Sequence, residues 1–278
     1  MLFPGQGSQH VGMGADLWDG EWFAMASEIL GWDLARLCRE GPEDELTKTE
    51  HAQPALFVTG YAWWCGSGLD QPEFVAGHSL GEYTSLAVAG ALTFDDALSL
   101  VAARGAAMAE AGARHPGAMV ALLGASLEDA EALCGQRDHL WVANDNAPGQ
   151  VVVGGSEEDC EWVAGQVRRA RRLATSGAFH TPFMASALEK LTAAIRAVPM
   201  GRAQVRVVCN VDAGPHVEAG ELGSALERQL TSRVRWTESV RLMAEEGVTT
   251  FCCMGPGDAV AGLVRRIVPD AVVKGVPE

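Results

Sequence analysis

The chain has 278 residues, 48% hydrophobic and 21% charged, so it can bury a large core and its composition excludes a disordered or fibrous protein. Thirty-six acidic against 21 basic side chains give a formal net charge of -15, which opposes binding to nucleic acid or to an anionic membrane. The longest uncharged stretch, residues 52–69, contains Pro54 and three glycines. We interpret it as a buried helix and not as a membrane span.

The N-terminus and the cysteines indicate the compartment. The chain begins Met1-Leu2-Phe3-Pro4-Gly5, with no basic region and no apolar signal core. The seven cysteines are odd in number and show no CxxC spacing. Cys252 and Cys253 are adjacent, a geometry poor for a disulfide or a zinc site. We therefore expect a cytoplasmic protein without a metal centre.

The first part of the chain predicts alternating helices and strands. In order, we predict a helix over residues 54–68, a strand over 74–76, a tight turn over 77–81, a helix to about residue 91 and a helix from 94 to about 111. Thr93 is a suitable N-cap for the last of these, with Asp95 and Asp96 in its first turn.

The periodicity changes near Ala118. We predict a strand over residues 119–123, a helix over 127–134, a strand over 150–153, a helix over 157–169 and a strand over 172–175. This order is typical of a small α+β insert of about 60 residues. We place it at residues 115–177, which leaves 1–114 and 178–278 as one large subdomain.

The last part returns to alternating elements. Thr181 is an N-cap and Pro182 suits the first helical position, so a long helix begins there and ends before Pro199. We predict strands over residues 205–209 and 248–252, then a Gly255-Pro256-Gly257 turn into a final helix that ends near Ile267.

The segment Gly77-His78-Ser79-Leu80-Gly81 is a GxSxG sequence. A strand before it and a helix after it are the context that a nucleophile elbow requires. The glycines permit a strained turn that exposes the Ser79 hydroxyl, and the helix N-terminus directs free N–H groups at an oxyanion formed there. A tight turn with a surface serine is the alternative, and the context favours the elbow.

A nucleophilic serine needs a base, and His180 is the best of the seven histidines. It follows Gly177-Ala178-Phe179, an apolar segment that disfavours the imidazolium and leaves the neutral form that a general base needs. His78 adjoins Ser79 but is directed elsewhere by the turn. A capped histidine in the core is the alternative. The remaining histidines lie in polar or loop-like surroundings: His10, His51, His115, His139 and His216.

Two further positions suggest substrate contacts. The loop over residues 3–9 is neither a Walker A sequence nor GxGxxG, but it can place an amide or N–H of Gln6 near a reacting carbonyl; an ordinary turn explains it equally. Arg104 lies four residues after Leu100 and four before Met108, on the apolar face of its helix. An inward arginine requires a carboxylate, either an internal Asp or Glu or the free carboxylate of a bound substrate.

Five segments carry a family resemblance: FPGQGSQ at 3–9, GHSLGEY at 77–83, Ala103-Arg104-Gly105, GAFHTPFM at 177–184 and GPG at 255–257. Together, in order and over almost the whole chain, they resemble the malonyl-CoA:acyl carrier protein transacylases and the acyltransferase domains of polyketide synthases. The resemblance implies an α/β fold, with an α/β-hydrolase-like large subdomain around a short parallel sheet and an inserted ferredoxin-like small subdomain.

The resemblance also implies roles for individual residues. These are Ser79 as nucleophile, His180 as base, the N–H groups of Gln6 and Leu80 as oxyanion hole, Arg104 as clamp on the substrate carboxylate, the backbone carbonyl of Glu246 as the group that orients His180, Asn146 beside the active-site channel, and Phe179 as a selector for malonyl. No triad aspartate and no metal are implied.

The implied reaction is ping-pong transfer of malonyl from CoA to the phosphopantetheine thiol of an acyl carrier protein, with no cofactor beyond these two thioester carriers. Carrier proteins of this kind are acidic, so a basic patch should dock them. We predict Arg168, Arg169, Arg171 and Arg172, for which a solvated helix end is the alternative explanation.

Three other functions stay open at this point. A trans-acting polyketide acyltransferase would move a different acyl group between carriers. A serine thioesterase or hydrolase would need an acid between Ser79 and His180 in the chain, and Asp95, Asp96, Glu110, Asp129 and Asp145 all lie in that interval. A binding module that has lost catalysis is disfavoured by the presence of both Ser79 and His180.

Overall fold

The computed structural model describes residues 1–276, which form two β-sheets surrounded by helices. The strands are β1 (Leu2–Phe3), β2 (Phe74–Gly77), β3 (Ala118–Leu123), β4 (Leu140–Ala147), β5 (Gln150–Gly155), β6 (Ala170–Arg172), β7 (Arg206–Val208), β8 (Pro215–His216), β9 (Val234–Arg235), β10 (Thr250–Met254) and β11 (Val272–Val276). The helices are α1 (Glu21–Leu30), α2 (Leu34–Glu40), α3 (Glu43–Thr47), α4 (Thr49–Gly66), α5 (Gly81–Val88), α6 (Phe94–Arg114), α7 (Leu127–Cys134), α8 (Glu157–Ala164), α9 (Ala185–Ala197), α10 (Ala219–Gln229), α11 (Trp236–Glu245) and α12 (Ala259–Ile267).

The larger sheet has the strand order β11-β10-β1-β2-β7-β8 and is parallel except for β8. Helices cover it, and every residue of β2 is buried, as expected for a central parallel strand. The carboxyl ends of β10, β1, β2 and β7 lie at one edge, where the segments that follow these strands meet. This edge gathers the Gly255-Pro256-Gly257 turn, the N-terminal loop, the GxSxG turn and Asn210.

The smaller sheet has the order β6-β3-β5-β4-β9. Strands β3 to β6, with α7 and α8 between them, follow the β-α-β-β-α-β order of a ferredoxin-like unit. The predicted α/β class, with a short parallel sheet and a ferredoxin-like insert, is confirmed. Strand β9 comes from outside residues 115–177 and pairs in parallel with β4. The subdomain boundaries stay a prediction.

The insert differs from the prediction at one missed strand and one helix end. No strand was predicted between residues 134 and 150, yet β4 lies there and buries three polar residues, Asn144, Asp145 and Asn146, which break its apolar pattern. The helix predicted to reach Arg169 ends at Ala164, where Gly165 donates to the Trp162 carbonyl. The four arginines of the predicted docking patch therefore lie beyond the helix. The alternative explanation, that they belong to a solvated helix end, is wrong.

The helix α6 is the best-predicted long element. The Thr93 side chain accepts a hydrogen bond from the Asp96 N–H at 3.1 Å, which caps the helix as expected. Its buried face contains Arg104 among apolar residues. Within residues 1–276, no helix has both the length and the apolarity needed to cross a bilayer.

Candidate active site

Ser79 lies in the turn between β2 and α5 with φ at +52°, a left-handed conformation that strains a residue with a side chain. The flanking glycines make this turn possible. A Cβ on Gly77 would come within 1.8 Å of the Gly81 carbonyl carbon, and a Cβ on Gly81 within 2.4 Å of the Phe3 carbonyl oxygen. The GxSxG turn therefore has the form of a nucleophile elbow and packs tightly against the first loop.

Ser79 and His180 are in direct contact. Ser79 Oγ lies 2.7 Å from His180 Nε2, and His180 Nδ1 lies 3.0 Å from the Gln229 carbonyl oxygen. A carbonyl can only accept, so Nδ1 holds the proton of the neutral ring and Nε2 accepts from the Ser79 hydroxyl. Burial, with a smaller effect of the Arg104 charge, lowers the pKa of His180 to about 3. The imidazole is therefore neutral at physiological pH.

The prediction that the Glu246 carbonyl orients His180 is wrong, because the Gln229 carbonyl does so. Glu246 follows α11, and its carboxylate lies 3.2 Å from Arg206. Arg206 begins β7 level with Phe74, at the end of the sheet opposite to Ser79. Glu246 is therefore too far along the strand direction to reach His180.

None of the five acids considered for a hydrolase triad bonds to His180. Asp95 is exposed in the first turn of α6, Asp96 and Asp129 take part in helix caps, Glu110 pairs with Arg114 and Lys190, and Asp145 accepts from Thr237. In the part of the chain that the structure describes, only a backbone carbonyl orients the base. The arrangement is a serine-histidine pair without a triad acid.

Arg104 reaches the Ser79 hydroxyl. Its side chain is 1% exposed, and Nη2 donates to Ser79 Oγ at 2.9 Å and to Gln229 Oε1 at 3.2 Å. Nη1 donates to Gln53 Oε1 at 2.8 Å, and the guanidinium carbon lies 5.4 Å from the centre of the Tyr83 ring. Neutral groups and an aromatic face therefore hold this cation beside the serine.

The internal ion pair considered for Arg104 is not observed. Among residues 1–276, no carboxylate forms a salt bridge with its guanidinium, and its Nε atom is buried without a hydrogen-bond partner. Burial lowers the pKa of Arg104 below its usual value. Neutral hydrogen-bond partners and the attraction of the nearby buried Glu82 offset only part of the cost of burying this cation, so the site favours a ligand that brings a negative charge.

The first loop lies against the elbow. The His78 N–H donates to the Phe3 carbonyl at 3.0 Å, and the Gln6 side chain donates to Thr49 Oγ1 at 3.1 Å. The Gln6 side chain therefore points toward α4. Within residues 1–276, the backbone N–H groups of Gln6 and Leu80 donate to no protein atom. Both remain free to bind an acceptor.

Asn146 lies beside the elbow and contacts His78, not Ser79. Asn146 Oδ1 accepts from His78 Nε2 at 2.7 Å, so His78 is directed away from Ser79 as predicted from the turn. Both residues, with Gln6, line a cavity of about 410 Å³. Phe179 is 6% exposed and packs in the main apolar core immediately before His180.

Three polar residues of the site escaped the sequence analysis: Gln53, Gln229 and Asn210. Gln229 is on the buried face of α10 with Leu222, Ala225 and Leu226, so a polar residue on an apolar face was the available signal. Gln53 is likewise fully buried in α4. Asn210 follows a buried strand, and only the strand order shows that this strand neighbours β2.

The family model for the acyl transferase domain matches residues 1–257. The chain belongs to the acyl transferase family. A malonyl CoA-acyl carrier protein transacylase from Haemophilus influenzae is 41% identical over 287 residues, covering 97% of this chain and 92% of that protein. The protein is therefore an enzyme, which disfavours the alternative of a binding module that has lost catalysis.

Solved structures agree with the fold of this acyltransferase. A malonyl CoA-acyl carrier protein transacylase from Coxiella burnetii has a TM-score of 0.95 and 35% identity, over 99% of this chain and 92% of that one. A malonyl-transacylase solved in complex with its type II polyketide synthase acyl-carrier protein also has a TM-score of 0.95, with 39% identity over 100% of this chain and 95% of that one.

Proposed function

We propose that this acyltransferase moves a malonyl group from CoA to the phosphopantetheine thiol of an acyl carrier protein, through a malonyl ester of Ser79. The observation that carries the proposal is the position of Ser79 Oγ, 2.7 Å from a neutral imidazole and 2.9 Å from a buried guanidinium that forms no salt bridge among residues 1–276. The names of the relatives support the same substrate and acceptor.

In the first half-reaction, Ser79 Oγ attacks the thioester carbonyl of malonyl-CoA while His180 Nε2 takes the hydroxyl proton. The free N–H groups of Gln6 and Leu80 stabilise the oxyanion. The C–S bond then breaks, and the proton passes from His180 to the CoA sulfur. CoA leaves as the thiol, and malonyl-Ser79 remains.

The second half-reaction runs the same steps in reverse with a new thiol. His180 takes the proton of the carrier's phosphopantetheine thiol, the sulfur attacks the ester, and Ser79 recovers its proton. Each step moves only a proton and an acyl group, so the proposed reaction requires neither a metal nor a redox cofactor. These substrates occur in the cytoplasm, where we place the enzyme.

Arg104 accounts for the choice of acyl group. One methylene separates the malonyl carboxylate from the thioester carbonyl, so a guanidinium in contact with Ser79 Oγ is close enough to reach it. A carboxylate matches the guanidinium fork with two parallel hydrogen bonds. A neutral acyl group leaves the cation unpaired, which disfavours the trans-acting enzyme for uncharged acyl groups.

The lifetime of the acyl-enzyme distinguishes transfer from hydrolysis. The malonyl-Ser79 ester should persist in water and discharge rapidly when holo carrier protein is added, because no triad acid supports attack by water. Intact-mass spectrometry after mixing with malonyl-CoA measures the ester, with the apo carrier, which lacks the thiol, as control. Free malonate that appears as fast without a carrier as malonyl carrier appears with it would establish a hydrolase instead.

Two of the four arginines proposed for carrier docking have positions that support this role. Arg168 and Arg169 line a cleft of about 1200 Å³ together with Arg266, which also borders the cavity beside Gln6. Arg172 pairs with Glu157, and Arg171 is exposed on the edge strand β6. We therefore propose Arg168 and Arg169 as the principal contacts for an acidic carrier.

Arg168→Glu with Arg169→Glu should raise the KM for the carrier several-fold while malonyl loading from CoA stays unchanged, because in this proposal the two side chains contact the carrier protein and not CoA. Stopped-flow measurement of each half-reaction separates the two effects. The matched control is Arg36→Glu with Arg39→Glu, which makes the same charge change on α2. Equal effects on both half-reactions, or on neither, would remove these arginines from the docking model.

A further inference from the structure

Asn210 is a buried residue at the active-site edge of the sheet, and both polar atoms of its side chain form hydrogen bonds. It lies just beyond β7 and is 1% exposed. Its Oδ1 accepts from the Ser79 N–H at 2.7 Å, and its Nδ2 donates to the Gly77 carbonyl at 2.7 Å. One side chain therefore forms hydrogen bonds with the residues on both sides of His78 in the elbow.

A second buried residue holds Asn210 in place. The Asn210 N–H donates to Glu82 Oε2 at 2.7 Å, and Glu82, in the first turn of α5, is fully buried. The chain of contacts runs from the elbow to β7 and returns to the helix that leaves the elbow. The Ser79 carbonyl also accepts a hydrogen bond from Gln229 Nε2 at 3.0 Å.

The elbow needs such support because Ser79 has φ at +52°. A strained conformation persists only where its surroundings over-determine it. The Ser79 N–H, just before the start of α5, would otherwise be a free hydrogen-bond donor. Asn210 Oδ1 accepts from it. With the Ser79 N–H occupied, the N–H groups of Leu80 and Gln6 are left to face an oxyanion.

We propose that Asn210 is a positioning residue that holds the Ser79 hydroxyl at the attack angle for acylation. The inference rests on the proposed role of Ser79 as the nucleophile. No hydrogen bond joins Asn210 to His180 or Arg104. The Asn210 side chain bonds only to the elbow, whereas its backbone bonds to Glu82 and Arg235. Its loss should therefore lower the rate of acylation and leave substrate binding intact.

The test is the rate at which a fluorophosphonate probe labels Ser79, measured with kcat and KM for malonyl-CoA. Asn210→Ala should lower labelling and kcat together by roughly 10- to 100-fold, the effect of a small misplacement of a reacting atom. The KM for malonyl-CoA should change less than about twofold, because Arg104 keeps its hydrogen bonds to Gln53 and Gln229 and forms none with Asn210. Val163→Ala, a core substitution in the small subdomain, controls for lost stability.

A second variant keeps the test decisive if Asn210→Ala does not fold. Asn210→Asp keeps an acceptor for the Ser79 N–H but cannot donate to the Gly77 carbonyl, and should lower labelling by about 3- to 30-fold.

Labelling of both Asn210 variants at the rate of Val163→Ala would overturn the proposal, as would a rise in KM with unchanged kcat. The probe reacts with an activated serine whatever the acyl donor. Wild-type enzyme that labels rapidly but fails to load malonyl would refute the malonyl assignment and leave the Asn210 comparison valid. Wild-type enzyme that fails to label Ser79 would refute both.

Discussion

Ser79→Ala should abolish acyl loading, and His180→Ala should lower its rate by a factor of about 100 to 10,000, the usual range for a general base. In the proposed reaction Ser79 Oγ forms the ester, whereas the histidine only assists its deprotonation. The 2.7 Å contact between Ser79 Oγ and His180 Nε2 is the geometric basis for both effects. Intact-mass measurement after exposure to malonyl-CoA checks the first, and rapid-quench loading kinetics the second.

The pH dependence of loading gives the same prediction a second readout. Since the pKa of His180 is lowered to about 3, its neutral form persists far below pH 6.5. Loading should therefore show no unit-slope decrease centred at pH 6.5. The unfolded chain does bind this proton near pH 6.5, so folding stability falls as the pH decreases toward about 3. Circular dichroism at each pH separates unfolding from loss of the base. A unit-slope decrease near 6.5 in folded enzyme would contradict a buried neutral base.

Arg104→Ala should weaken malonyl loading by roughly 10- to 100-fold or more, because a hydrogen bond to a charged group contributes about 1.5 to 3 kcal/mol. Acetyl loading should fall far less, or rise, since acetyl offers no carboxylate to the guanidinium. The deciding quantity is the ratio of kcat/KM for malonyl-CoA to kcat/KM for acetyl-CoA in each enzyme. Wild type should strongly favour malonyl, and the variant should lose most of that preference.

Arg104→Lys is the matched control for this prediction. It keeps a positive charge but lacks the planar fork that binds a carboxylate through two parallel bonds. It should restore only part of the malonyl preference. An unchanged malonyl-to-acetyl ratio in folded Arg104→Ala, verified by circular dichroism, would show that Arg104 serves the structure of the site and not the substrate. The malonyl assignment would then lose its main physical support.

The elbow and the long helices could be predicted from local sequence. Ser79 is recognised because two glycines, a strand before it and a helix after it are all encoded within about ten residues. Arg104 is placed inward by the 3.6-residue period of α6, and Thr93 by its position before that helix. The contacts that decide these features lie within one turn or one helix, so neighbouring residues suffice to specify them.

The polar support of the site could not be predicted in this way. Whether Glu246 or Gln229 faces His180 depends on how two helices pack against the sheet. The contact of Asn210 with Ser79, 131 residues apart in sequence, depends on β7 pairing with β2. Three consecutive buried polar residues, Asn144, Asp145 and Asn146, concealed strand β4 because they break the apolar alternation. Asp145 and Asn146 bond to Thr237 and His78 of other elements.

The sequence by itself determined the GxSxG elbow that carries Ser79, the inward arginine and the strand-turn-helix order around the elbow. Only the tertiary structure decided which carbonyl orients the base, that Arg104 has no internal ion pair among residues 1–276, and which side chains hold the elbow. The physical reason is the range of the interactions. Helix periodicity and turn strain act between near neighbours in the chain, whereas the partner of a buried polar group is set by strand order and packing between distant segments.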